Sequence, residues 1–171
     1  MKTTINKEQI YALSTESFGL VPGAIKEMAE RSEPLAYVYL VGTQTMEQSS
    51  LTDLEVNAIE LKISSLNKCE SCVKGHSFLV KKAGLSEPDV KAIVNNESTS
   101  VDRLNVLLKA AEYIYYSGNG IYADVVLDYF EDEELSEQVV FEIIGLISLK
   151  TISNYVNNYL ASVKTRAKQT H

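Results

Sequence analysis

The chain is poor in several things, and each shortage excludes something. Only three prolines and eight glycines interrupt 171 residues. So few breakers, with few strand-like alternations, make all-α the expected fold class. No apolar run approaches the roughly 18 residues that span a bilayer. The opening Met-Lys-Thr-Thr-Ile-Asn-Lys-Glu lacks the apolar stretch of a secretory signal. Basic residues are outnumbered, 16 Lys and Arg against 23 Asp and Glu, for a net charge of −7. That balance argues against nucleic acid as a partner and against docking on an anionic membrane. Cysteine and histidine occur twice each. A cytoplasmic protein with reduced, reactive thiols is the consistent expectation.

Hydrophobic residues make up 45% of the chain, enough for the core of one domain spanning 1–171. Within it we expect an N-terminal helical extension (1–50), a core helix pair (51–95) and C-terminal helices (101–163). Helical spacing predicts a first helix over 6–18 with Ile10, Leu13 and Phe18 inward. Pro22 opens a second helix at its first position, and Pro34 opens a third. Thr52 and Glu55 form a capping box for a helix over 53–66. That helix has apolar flanks and a polar stripe of Asp53, Asn57, Glu60 and Ser64. The stripe meets either solvent or the site described next; Glu55 and Lys62 lie on the opposite side. Gly84 ends a helix over 69–83, and Ser86 or Glu87 with Pro88 starts another. A helix over 101–117 turns Val101, Leu104, Leu108, Ala111 and Tyr115 to the core. A turn over 117–120 (including Asn119), a short helix over 122–130 and an acidic patch over 131–134 follow. The last helix, 137–163, has about 27 residues, enough to cross the domain or reach a neighbouring subunit. Its core side includes Tyr155 and Tyr159; Asn154, Asn157 and Asn158 break its polarity. The tail, 164–171, is expected to fray.

The two cysteines and one histidine converge in Asn67-Lys-Cys-Glu-Ser-Cys-Val-Lys-Gly-His76. On a helix, Cys69, Cys72 and His76 share one face. With Asn67 as cap, both thiols fall near the first turn, where the helix dipole favours an anion. Such a place can lower a thiol pKa from about 8.5 into the range of roughly 3.5 to 7.5. Lys68 and Lys74 add positive charge and Glu70 opposes it. Four readings stay open on these residues. A redox dithiol needs two thiols in reach and a proton carrier one turn away. A zinc site lacks a fourth ligand, for which the terminal His171 is a poor choice. Haem attachment requires histidine where Val73 stands. Lastly, the residues can simply fill a core, continued by Val73, Leu79, Val80 and Ala83.

The stretch Leu51-Thr-Asp-Leu-Glu-Val-Asn-Ala-Ile-Glu-Leu-Lys-Ile-Ser-Ser-Leu-Asn-Lys-Cys-Glu-Ser-Cys-Val-Lys-Gly-His76 resembles the core of the alkyl hydroperoxidase D / carboxymuconolactone decarboxylase family. Gly84-Leu-Ser86 and Asp102-Arg-Leu104 extend the likeness. The resemblance implies a single-domain all-α fold that forms homo-oligomers, trimers or hexamers. It also implies thiol peroxidase activity on hydrogen peroxide or organic hydroperoxides. In that reading Cys72 attacks the peroxide, Cys69 resolves the sulfenic acid as a disulfide, and His76 belongs to a proton relay. An external dithiol, lipoyl-type in the family, resets the site, and no cofactor or metal is needed. Two positions depart from the pattern. The family glutamate twelve residues before the first cysteine is Asn57 here, which cannot act as a base. Glu60, in the same polar stripe, is the expected substitute. Ser71 stands where the prototype has histidine. Two other functions use the same residues: a non-redox lyase with His76 and Glu60 as acid and base, and a non-catalytic redox sensor.

Overall fold

The computed structural model describes residues 5–118 and 120–169. Asn119 and His171 lie outside the described residues. The described chain is all-helical: α1 (Lys7–Phe18), α2 (Gly23–Arg31), α3 (Glu33–Met46), α4 (Asp53–Leu66), α5 (Glu70–Lys82), α6 (Glu87–Asn95), α7 (Asp102–Ser117), α8 (Asp124–Asp132) and α9 (Glu137–Gln169). Contacts divide it into two compact units. One holds the chain up to Gln48 with the stretch from Tyr159 onward; the other holds Ser49–Asn158.

In the first unit α1, α2 and α3 pack on one another. Asn6 caps α1 through a capping box with Gln9. Pro22 is the cap of α2 rather than its first residue, and Ser32 caps α3 with Pro34 just inside. Glu30 ties α2 to α1, accepting from Tyr11 at 2.8 Å and pairing with Lys7 at 3.1 Å.

The second unit is built around α4. Its capping box is present, with Thr52 and Glu55 each bonded to the other's backbone N–H. One flank of α4, Ala58 and Leu61, joins Val80 of α5, Leu85 of the following loop, Val90 and Ile93 of α6, and Leu104 and Leu108 of α7 in one core. The other flank, Ile59 and Ile63, is also buried. A helix buried on two sides must place its polar residues in narrow strips between them.

Several expected details differ. Lys62, on the side opposite the polar stripe, is only 4% exposed and pairs with Glu112 of α7 at 2.9 Å. Val101 precedes α7 and is exposed, while Leu107 and Ile114 take core positions. Leu79 is likewise exposed. The short helix α8 starts two residues later than expected. The tail does not fray after residue 163, because α9 continues to Gln169. Tyr155 and Tyr159 of α9 are 62% and 66% exposed. At 100° per residue Tyr155 stands about 140° from Lys150, and it is the side bearing Ile143, Leu146, Lys150, Ser153 and Asn154 that is buried. By length and composition α9 is also apolar enough to cross a bilayer, with a mean hydropathy of 1.5 over its most apolar 18 residues. The same helix buries Lys150, Ser153 and Asn154 against polar partners in this unit.

Removing the Lys62 ammonium leaves the Glu112 carboxylate without its most buried partner. Lys62→Ala should therefore destabilise by about 2 kcal/mol in urea unfolding. Lys62→Met, which keeps the apolar stem, should cost less than Lys62→Ala.

Candidate functional site: a buried proton cluster beside a dithiol

The corner between α4 and α5 sets the thiols. Asn67 closes α4, contrary to its expected role as cap of the next helix. Lys68 then takes a left-handed conformation with φ 53° and reverses the chain. Cys69 itself caps α5, without a side-chain capping bond. Asn67 is not free to cap because its amide is used elsewhere. It donates to Asn154 Oδ1 at 3.0 Å and accepts from the Tyr115 hydroxyl at 2.9 Å.

Cys69 and Cys72 are joined as a disulfide, with Cα atoms 5.3 Å apart. Both are buried, at 1% and 8% exposure. Cys72 occupies the third position of α5, so His76 lies one turn further on the same helix. Ser71 Oγ lies 3.6 Å from Cys69 Sγ. Asn157 of α9 brings Nδ2 to 3.3 Å from Cys72 Sγ.

His76 is clasped by α4 and α9. Its Nδ1 is 3.2 Å from Asn57 Oδ1 and 3.4 Å from Glu60 Oε2. Its Nε2 is 2.6 Å from Lys150 Nζ. Lys150 Nζ is also 3.4 Å from Glu60 Oε1, so the carboxylate bridges imidazole and ammonium. The side chains of Lys150, Glu60 and His76 are 5%, 12% and 13% exposed.

These contacts fix the tautomer. An ammonium only donates, so Nε2 accepts. Asn57 spends its Nδ2 on the carbonyl of Asp53, which leaves Oδ1 to accept from the ring. The proton therefore sits on Nδ1, facing Asn57 and Glu60, and the ring is neutral. Burial pushes His76 down from 6.5 to about 4, with Glu60 opposing and Lys150 adding to the shift.

The polar stripe of α4 thus meets the site rather than solvent along most of its length. Asn57 and Glu60 bind His76, and the fully buried Ser64 accepts from Asn154 Nδ2 at 3.2 Å. Glu55 lies away from the histidine, held by Thr52 and by Arg103 at 3.2 Å. Among the described residues, no group of three or more His, Cys, Asp or Glu is placed to hold a metal ion. Sequence reasoning missed Lys150, Asn154 and Asn157 as members of the site. Their signal was the polar interruption of an otherwise apolar helix. No protein-family model matches the chain, and no curated protein sequence matches it.

The depressed His76 pKa makes stability depend on pH. Between about 4 and 6.5 the unfolded state binds the proton that the folded state refuses. The contribution is therefore complete above about pH 6.5 and is lost as pH falls toward 4. Unfolding free energy should drop by about 2 kcal/mol between pH 7 and pH 5. His76→Gln should flatten that slope, as read by urea titrations across the window.

Proposed function

We propose that the protein is an oligomeric thiol peroxidase of the alkyl hydroperoxidase D type, working in a reducing compartment on hydrogen peroxide or organic hydroperoxides. One observation supports this most: a bridged Cys69–Cys72 pair adjoins a buried histidine whose two nitrogens are engaged by a carboxylate and an ammonium. A core-filling cysteine pair has no need of that cluster.

In the proposed cycle the reduced Cys72 loses its proton to the cluster of His76, Glu60 and Lys150. The thiolate attacks the peroxide O–O bond. Sulfur takes one oxygen to become a sulfenic acid, and the departing alkoxide takes a proton back from the cluster to leave as an alcohol. The Cys69 thiol then condenses with the sulfenic acid, forming the disulfide and releasing water. An external dithiol, lipoyl-type by the family likeness, returns both cysteines to thiols and is itself oxidised to a disulfide.

Glu60 replaces the family's relay glutamate one helical turn along α4. Asn57, at the family position, serves instead as an acceptor that orients the ring. Lys150 completes the relay: its ammonium faces Nε2 while the Nδ1 proton faces Glu60, so a proton can enter at one nitrogen and leave at the other.

Mass spectrometry of reduced protein treated with an organic hydroperoxide tests the reading. The expected product has lost two hydrogens, mapped to a Cys69–Cys72 bond. Cys72→Ser should abolish turnover, and Cys69→Ser should trap Cys72 as a sulfenic acid. Glu60→Gln should lower kcat/KM by about a hundredfold while both thiols remain titratable. Full turnover in Cys72→Ser would overturn the assignment. Thiols that stay reduced would favour acid–base chemistry by His76 and Glu60 instead.

A further inference from the structure

We infer that Asn157 is the hydrogen-bond donor that stabilises the Cys72 thiolate, making it a catalytic residue contributed by α9. The inference deepens the peroxidase reading, whose nucleophile is Cys72. It begins with an asymmetry between the two sulfurs. The Asn157 amide lies 3.3 Å from Cys72 Sγ, whereas the neighbour of Cys69 Sγ is the Ser71 hydroxyl at 3.6 Å. A disulfide sulfur is a weak acceptor, so the contact gains little in the oxidised state. Once the bridge opens, the same N–H meets a charged sulfur, and a bond to an ionised acceptor is about twice as strong as a neutral one.

Position on α5 adds to the effect. The first backbone bond of that helix runs from Val73 N–H to Cys69 O. The N–H groups of Glu70, Ser71 and Cys72 precede the ladder, and they give this end of the helix its positive potential. Cys72 thus faces a fixed dipole from its own helix and an amide from another.

The helix on either side of the amide is also held in place. One turn earlier, Asn154 donates to Ser64 and accepts from Asn67. The adjacent Asn158 donates to the Asn67 carbonyl at 2.8 Å. These bonds clamp α9 to the α4–α5 corner on both sides of Asn157. A donor that is already aimed needs no reorganisation when charge appears on sulfur.

The test measures Cys72 alone, in a Cys69→Ser background, through the ultraviolet absorbance of its thiolate as pH is varied. Asn157→Ala should raise the midpoint by roughly one pH unit, the effect of losing one charge-assisted hydrogen bond. Asn157→Asp is nearly isosteric but places an acceptor against the thiolate, so it should raise the midpoint further. Circular dichroism checks each fold, and Asn157→Ser stands in for a variant that does not fold. A midpoint unmoved in either variant overturns the assignment. Peroxide turnover is scored separately in the Cys69-containing protein. A shifted midpoint in a protein inert to peroxides would end the peroxidase reading and leave Asn157 in its role. An unmoved midpoint in an active peroxidase would do the reverse.

Discussion

Burying the Lys150 ammonium imposes the constraint on which the site depends. A charge at 5% exposure is tolerated only when partners replace its water. Here the partners are Glu60 from α4 and His76 from α5. The three side chains join three helices, so the polar centre of this unit is also one of its packing joints. Burial keeps the imidazole neutral, and the Lys150 cation beside it adds to that preference. The Glu60 carboxylate offsets the Lys150 ammonium, so the set stays close to charge-neutral.

The same logic explains why α4 looks odd in sequence. A helix with two apolar flanks reads as ambiguous until its neighbours are known. With α6 and α7 on one flank, the strip bearing Asn57, Glu60 and Ser64 is left facing α5 and α9. Lys62 lies on the other strip and is closed over by Glu112. Neither strip is a solvent face, so α4 carries one polar contact system on each side.

The helices were largely legible because their start signals are local. Thr52 with Glu55, and Ser86 with Pro88, each act within one turn. The thiol pair, His76 and Glu60 were legible for a related reason, since all four lie on two consecutive helices. What escaped notice came from α9, which is distant in sequence. The polar interruption of α9 marks Lys150 and Asn157, but nothing local says which partners they meet. Tyr155 and Tyr159 misled in the opposite sense, because an apolar count ranks a tyrosine above an asparagine. Here hydrogen-bond partners on α4 and α5 reversed that order. Asn67 failed as a cap for the same reason, as its amide is claimed by Asn154 and Tyr115.

Cys69 and Cys72 are only three residues apart, and the first stands just outside the helix that holds the second. A ring this small restricts the unfolded chain less than a long loop does, so its closure adds less conformational stability. It sits at the very start of α5, whose first backbone bond runs from Val73 N–H to Cys69 O. Redox state and folding stability are therefore only weakly coupled through this bond.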